Sequence, residues 1–224
     1  MFLAQLEGPA LSRGLWVAAI LVLVILAFGS FKAHRGGGIA ERGLATEAPA
    51  KFASASADRK FLTEEESLEA ARRGLLPNGT RSIISTGGPL VHGDWHWDDS
   101  AVPPGPITVR VDLGRQLVSV FQGPDEIGAA VVVYGAQGKE TPRGKLPILG
   151  KTRDYHSITY DAPMPYSLWL RDDGVALHGS SVRMGRATNG CIGVPVGFAE
   201  KLFAVAQVGD IIEVVGPGEP SVAL

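Results

Sequence analysis

The sequence has 224 residues and a single cysteine, so it can form neither an internal disulfide nor a cysteine-rich zinc site. Its 21 basic and 23 acidic residues give a net charge of -2, which does not favour nucleic-acid binding through positive charge. The 29 glycines and 15 prolines are more typical of a loop-rich β protein than of a helical bundle.

An unbroken apolar run at residues 15–28 is the first predicted element. With the residues up to Lys32 it approaches the roughly 20 positions needed to cross a bilayer. We interpret residues 1–31 as an uncleaved signal anchor, with a cleaved secretory signal peptide as the alternative. More basic residues follow the run than precede it, which is opposite to the asymmetry expected for an exported domain.

Residues 32–92 are predicted to be a linker that contains one short helix. The stretch 33–59 is rich in alanine, glycine and serine and lacks a sustained apolar period, as is typical of a flexible tether. Thr63 followed by Glu66 is a capping-box pattern, so we expect a helix to begin there and to end at Gly74.

Polar and aromatic residues alternate just before the first long strand. On an extended segment His92, Asp94 and His96 would face the same way, as the ligands of a metal do. The alternative is a packing segment in which Trp95 and Trp97 cover an edge of the sheet. We favour packing, so the sequence predicts no metal site.

Three strands follow a proline-rich boundary at residues 103–106. Apolar and polar residues alternate over 107–113, which predicts a half-buried strand. Glycine-containing turns then lead into strands over 116–121 and 127–134, giving an antiparallel meander. The run 129–133 is apolar on both faces, so we expect the third strand to be central.

A hairpin, a helix and a closing strand complete the predicted elements. Asp172, Asp173 and Gly174 form a turn signal between two strand-like runs, and the second run ends at His178. Pro195 begins a helix with one apolar face, and a last strand follows at 211–215.

These elements predict a mainly β domain over residues 93–216. We expect a curved mixed sheet or sandwich with one packed helix, preceded by the membrane segment and the linker. Residues 217–224 are expected to form a short tail.

Cys191 lies thirteen residues after His178. A thiol becomes a good nucleophile when a neighbouring base favours its thiolate. Glycines on either side of Cys191 leave its backbone accessible to a substrate. The alternative is that Cys191 is a small buried hydrophobic residue, and the spacing by itself leaves both interpretations.

Longer motifs around Cys191 resemble a known family. His178-Gly179, followed by the segment 188–192 (Thr-Asn-Gly-Cys-Ile), resembles the signature of the L,D-transpeptidase (YkuD-type) family of bacterial cell-wall enzymes. Asn189 stands where most members carry histidine, and Gly193 where many carry arginine or asparagine. The resemblance spans roughly residues 93–215, and further segments in the family's order are 107–113, 141–144 and 162–166.

The resemblance implies a cysteine-nucleophile acyltransferase. Cys191 is the implied nucleophile, His178 its base, and the Gly179 carbonyl the group that orients the imidazole. Backbone amides near Cys191 would stabilise an oxyanion. The implied supporting residues are Thr188, Asn189 and Gly190, and the expected substrate contacts are Tyr166, Met164, Arg183 and Arg186.

The resemblance also implies a substrate and a location. The donor would be a peptidoglycan tetrapeptide stem that loses its terminal D-alanine, and an amine would accept the acyl group without a metal or organic cofactor. The domain would then lie in the periplasm, held at the inner membrane by the N-terminal segment. Two alternatives remain: a cysteine carboxypeptidase or amidase of the same fold, and an inactive membrane-tethered peptidoglycan-binding module, which Asn189 and Gly193 suggest.

Overall fold

The structure, a computed structural model, describes residues 59–216, which form fourteen short strands and two helices. The apolar run that predicts a membrane segment and the tail at 217–224 lie outside these residues. Within 59–216, neither helix has the length and apolar character needed to cross a membrane.

The elements are listed here in chain order. The helices are α1 (Glu64–Arg72) and α2 (Val196–Val205). The strands are β1 (Arg59–Phe61), β2 (Ser82–Ile84), β3 (Trp95–Trp97), β4 (Ile107–Asp112), β5 (Leu117–Gln122), β6 (Asp125–Val131), β7 (Gly144–Pro147), β8 (Gly150–Thr152), β9 (His156–Ser157), β10 (Ala162–Pro163), β11 (Ser167–Trp169), β12 (Ala176–Gly179), β13 (Ile192–Val194) and β14 (Ile211–Val215).

The larger sheet has the strand order β1-β2-β6-β5-β4-β14-β7, and β3 also pairs with β6. The predicted meander is confirmed, since β4 and β5 pair antiparallel, as do β5 and β6. Every residue of β6 is buried, as the apolar run 129–133 predicted for its C-terminal part; Asp125 and Glu126, at its start, are buried as well. The closing strand β14 lies between β4, its parallel neighbour, and β7, its antiparallel neighbour.

Part of the predicted linker belongs to this sheet. Strand β2 pairs with β6, and β1 pairs antiparallel with β2. Arg59 donates to the Glu126 carbonyl at 2.6 Å and to the Asp98 carbonyl at 2.8 Å, and Arg81 forms an ion pair with Asp125. These contacts correct the linker interpretation from Arg59 onward: the segment is fixed to the domain by polar contacts.

Helix α1 begins at the predicted capping box. The Thr63 hydroxyl accepts from the Glu66 N–H at 3.2 Å, and the Glu66 carboxylate accepts from the Thr63 N–H at 2.9 Å. The chain then turns at Gly74, whose φ of 65° suits glycine. The Gly74 carbonyl accepts a 3.0 Å bond from Arg110, which in turn pairs with the buried Glu213, so the end of α1 is tied to the sheet.

The smaller sheet has the order β13-β12-β11-β8. Its β11–β12 hairpin is antiparallel, as predicted from the turn sequence, whereas β12 and β13 are parallel. Helix α2 follows Pro195, and the Lys151 ammonium donates to the carbonyls of Phe203 and Ala206 at its C-terminal end. The two sheets and α2 share one apolar core, which includes Val109, Val120, Leu168, Leu177, Ile192, Phe198 and Leu202.

Candidate active site

The register of β12 and β13 brings His178 and Cys191 together. His178 pairs with Gly193, and Leu177 pairs with Ile192. Cys191 directly precedes β13, so continuing the register by one residue places it beside Ala176. Paired residues of neighbouring strands share a face, as do alternate residues of one strand, so Cys191 and His178 lie on the same face. Ideal strand spacing puts their Cα atoms about 8 Å apart.

His178 is held in one tautomer. Its side chain is 7% exposed, and Nδ1 lies 2.9 Å from the carbonyl oxygen of Gly179. A carbonyl oxygen can only accept, so Nδ1 carries the proton and the lone pair of a neutral ring is on Nε2. Burial lowers the pKa of His178, partly opposed by the Gly179 carbonyl. The imidazole is therefore in the form that accepts a proton.

Cys191 is held as a thiol. Its sulfur donates to the Gly174 carbonyl at 3.8 Å. Burial raises the pKa of the Cys191 thiol, a hydrogen bond from the Ala176 backbone opposes this, and the charge of Asp173 raises the pKa further. Both shifts favour the uncharged forms of Cys191 and His178, so any reaction at the sulfur would require the thiol to lose its proton.

The carbonyl of Cys191 is fixed by two threonine hydroxyls. Thr188 donates to it at 2.5 Å and Thr141 at 3.5 Å. Thr141 is 4% exposed, and its hydroxyl also accepts from the Gly135 N–H at 2.9 Å. The Thr188 N–H donates to Tyr134, whose carbonyl is 2.9 Å away. Residues on the chain just after β6 thus hold the segment that carries Cys191.

At two positions near Cys191, the backbone conformation or the close approach of neighbouring atoms favours glycine. Gly190 has a φ of 111°, a conformation that side chains other than hydrogen rarely allow. At Gly193, a Cβ would lie 2.8 Å from a Val133 methyl and 2.9 Å from the Ser180 Cβ. A side chain at position 193 would therefore overlap the side chains of two neighbouring segments. The Asn189 side chain is exposed on the turn between Thr188 and Gly190.

The predicted substrate contacts occupy different environments. Tyr166 is half-buried and donates to Glu200 at 3.0 Å, and the preceding Pro165 carbonyl accepts from the Gly179 N–H at 2.8 Å. This bond fixes the Tyr166 segment beside β12, the strand that carries His178. Met164 is 6% exposed, which disagrees with its predicted role as a substrate contact.

The arginines predicted to contact substrate lie in the connection from β12 to β13. Arg183 and Arg186 are exposed, and the Arg186 N–H donates to the Arg183 carbonyl at 3.1 Å in a turn. Their role toward a substrate carboxylate stays a prediction. Sequence reasoning missed Thr141 and Gly174 as neighbours of Cys191, although both stand in motifs that it singled out.

The segment His92–Trp97 packs against α2. The rings of Trp95 and Trp97 meet the Phe198 ring edge-on, with centroids 6.5 and 5.6 Å away. The Asp94 carboxylate accepts from the Val91 N–H at 2.9 Å. Across residues 59–216, no three His, Cys, Asp or Glu side chains are grouped so as to hold a metal ion.

Comparison with known proteins identifies a family for part of the chain. Residues 106–214 match the family model of the L,D-transpeptidase catalytic domain. No curated protein sequence matches this chain.

Solved L,D-transpeptidase structures are similar to part of the chain. One from Stackebrandtia nassauensis is 25% identical, with a TM-score of 0.47 over 54% of this chain and 64% of that one. One from Xylanimonas cellulosilytica is 22% identical, with a TM-score of 0.45 over 51% and 62%. A mutant from Enterococcus faecium is 21% identical, with a TM-score of 0.45 over 50% of both chains. The match spans less than two thirds of each of these proteins.

His178 and Cys191 both lie within residues 106–214, the range that the family model matches. This match shows that the domain at residues 106–214 belongs to the L,D-transpeptidase catalytic domain family.

Proposed function

We propose that this protein is an L,D-transpeptidase that uses Cys191 to transfer an acyl group from a peptidoglycan tetrapeptide stem to an amine. The observation that carries the proposal is the pairing of β12 with β13. It places His178 and Cys191 on one face of the smaller sheet, while the Gly179 carbonyl directs the basic nitrogen of His178 away from the backbone.

In the acylation step, the sulfur of Cys191 attacks the carbonyl carbon of the bond before the terminal D-alanine. The thiol proton passes to Nε2 of His178 as the sulfur–carbon bond forms. The backbone N–H groups of Gly190 and Cys191 are the proposed donors to the oxyanion. The carbon–nitrogen bond then breaks, and D-alanine leaves with the proton from His178.

In the second step, an amine attacks the thioester carbonyl. A carbon–nitrogen bond forms, the carbon–sulfur bond breaks, and His178 moves the amine proton to the sulfur. Water in place of the amine would make the enzyme a carboxypeptidase. The neutral resting state of His178 and Cys191 suits this cycle, because the same pair is restored at the end of each turnover.

The remaining assignments follow from this chemistry. Tyr166 would line the donor groove, since its segment is bonded to Gly179. Arg183 and Arg186 would meet carboxylates of the stem peptide. The polymer lies outside the inner membrane, so the domain would be periplasmic, with residues 1–31 as its anchor or signal segment.

The test is intact-mass spectrometry of the full-length chain incubated with a carbapenem. The family resemblance implies that this class of reagent acylates the nucleophilic cysteine. One adduct is expected on the wild type and none on Cys191→Ala. His178→Ala should acylate at least about a hundredfold more slowly, because general-base catalysis typically contributes this much. His156→Ala is the matched control, since that exposed imidazole pairs with Asp161 on the β9–β10 hairpin, and it should react like the wild type.

The second arm uses a synthetic tetrapeptide with an amine acceptor. Amide products together with released D-alanine support the transpeptidase. Release of D-alanine without amide products would instead make the protein a carboxypeptidase. A wild-type chain that forms no adduct, releases no D-alanine and resists a small alkylating reagent would exclude the enzyme and favour the binding module.

A further inference from the structure

A groove runs between helix α1 and one face of the larger sheet. Its helix wall is formed by Glu66, Glu69, Ala70 and Arg73, the last of which directly follows α1. Their spacing of three and four positions places these residues on one side of the helix. All four precede residues 106–214, so this wall lies outside the range that the family model matches.

The sheet supplies the floor of the groove. Ser119 of β5 pairs with Ala129 of β6, and both residues line the groove. Successive residues of a strand point to opposite faces, so Ser119 faces away from Val120, which belongs to the shared apolar core. The groove therefore lies on the face of the larger sheet opposite the core. Cys191 adjoins a strand of the other sheet, so the groove is not part of the candidate active site.

The groove is large and mostly apolar. Its volume is about 610 Å³, which is within the range of small-molecule sites. Ala70 is the only apolar side chain that α1 contributes to the lining, so the space between helix and sheet is left unfilled. Six larger apolar side chains line the groove and are half-buried: Leu62, Leu75, Leu76, Ile83, Leu90 and Leu117. An alkyl chain in the groove would therefore remove apolar surface from water.

The acidic residues of the groove oppose an anion only weakly. Glu66 pairs with Lys60 at 3.0 Å, and Glu69 pairs with Arg72 at the same distance. The third acidic residue, Glu126, lies on the floor and is 6% exposed. Burial raises the pKa of Glu126, which favours its uncharged form.

Two arginines of the groove are able to meet an anion. Arg73 forms no ion pair with any residue that the structure describes. Arg115, in the turn between β4 and β5, is 3.6 Å from Asp112, which is longer than a charge-assisted hydrogen bond. Both arginines are exposed, so they lie at the rim of the groove. An anionic group at the rim would therefore gain a guanidinium contact.

We propose that this groove binds a single-chain amphiphile, with its alkyl chain against the leucines and its one anionic head group at Arg73 and Arg115. A cationic amphiphile of the same length would lack the head-group contact, and an anion without a chain would lack the apolar contact. The inference is independent of the reaction proposed for Cys191.

The experiment is isothermal titration calorimetry of the full-length chain with decanoate and with decyl phosphate, each below its micellar concentration. Whichever anion binds more tightly identifies the head group. It should bind about tenfold more tightly than decylammonium, which has the same chain and the opposite charge. Shortening its chain by two methylenes should weaken binding about tenfold, because each buried methylene contributes a factor of about four.

Two variants locate the binding. Arg73→Gln should weaken binding of the anion about threefold, as expected for an exposed charge pair. Arg72→Gln is the matched control, because this adjacent arginine does not line the groove, and its affinity should stay at the wild-type value. Ala70→Phe should weaken binding at least tenfold, because the ring would occupy the space between α1 and the sheet. Circular dichroism and thermal midpoints show whether the variants are folded.

Several results would overturn the inference. They are no binding of either anion, equal affinity for the anion and decylammonium, and an equal loss in Arg73→Gln and Arg72→Gln. Unchanged affinity in a folded Ala70→Phe variant would do the same, because it would place the ligand elsewhere, such as at the apolar run 15–28. If Ala70→Phe does not fold, the comparison of the two arginine variants decides.

Discussion

Thr141 donates a hydrogen bond to the carbonyl of Cys191, a residue fifty positions further along the chain, at 3.5 Å. The same hydroxyl accepts from the Gly135 N–H, so one buried side chain links the connection after β6 to Cys191. The orientation of Cys191 is therefore set by the larger sheet as well as by its own strand.

Thr141→Val should reduce both stability and acylation. The buried Gly135 N–H would lose its acceptor, which costs about 1–3 kcal/mol. The Cys191 carbonyl would keep only its bond from Thr188, and such a loosened nucleophile should acylate on the order of tenfold to a hundredfold more slowly. Urea unfolding and the rate of carbapenem adduct formation measure the two effects. Thr141→Ser keeps the hydroxyl and should restore the rate; a Val variant as fast as the wild type would refute the role of this bond.

Gly193→Ala should destabilise the protein by about 1–3 kcal/mol, because the added methyl group would overlap Val133 and Ser180. The change in thermal midpoint measures this cost. Gly88→Ala is the control, since a Cβ there would meet no atom within 4 Å, and its midpoint should not fall. Adding Gly193→Ala to a Val133→Ala variant should lower the thermal midpoint less than adding it to the wild type, because the smaller side chain at position 133 leaves room for the methyl group. An equal fall in both backgrounds would contradict the overlap.

Alkylation of Cys191 should depend on pH as expected for a thiol whose pKa is raised by burial. Only the thiolate reacts, so the rate should be low at neutral pH and rise through alkaline pH, above the ordinary value of about 8.5 for a free cysteine. Asp173→Asn should shift the profile to lower pH, because it removes a negative charge. Rates of iodoacetamide labelling from pH 5 to 10 give the profile. A plateau at pH 5 to 7 would reveal a resting thiolate–imidazolium pair and contradict the neutral state.

The buried pair of Arg110 and Glu213 offers a test of how the fold is joined. The two side chains are 3% and 4% exposed and lie 2.5 Å apart. Glu213→Ala would leave the guanidinium buried without its partner, at a cost of about 3–5 kcal/mol in the free energy of unfolding. The double variant Arg110→Met/Glu213→Leu should be less destabilised than Glu213→Ala in urea titrations. The reverse order would mean that the charges contribute net stability.

Much of the fold could be predicted because its elements carry local patterns. The alternation over 107–113 predicted β4, and the capping box at Thr63 predicted α1. The turn signal ending at Gly174 predicted the β11–β12 hairpin. Strands β1 and β2 were missed because three residues are too few for a periodic pattern. They are held by contacts such as that of Arg81 with Asp125, which are far apart in sequence.

The candidate site likewise has a part that local sequence motifs predict and a part that only the folded chain shows. Cys191 and His178 stand in a recognisable motif, and the structure brings them to neighbouring strands. The contacts of Thr141 and Gly174 with Cys191 join segments that only the folded chain brings together, so the sequence did not reveal them. Met164 was assigned to the groove by resemblance, but its turn directs the side chain inward.

The parallel pairing of β12 with β13 has a consequence for how such sites evolve. The distance between His178 and Cys191 is set by strand register, and the intervening connection only has to return the chain to the start of the second strand. Insertions or deletions around Gly185 should therefore leave His178 and Cys191 in the same relative position, because loops tolerate changes in length. The thirteen-residue interval is a property of the connection, and the cross-strand register is the feature that selection must preserve.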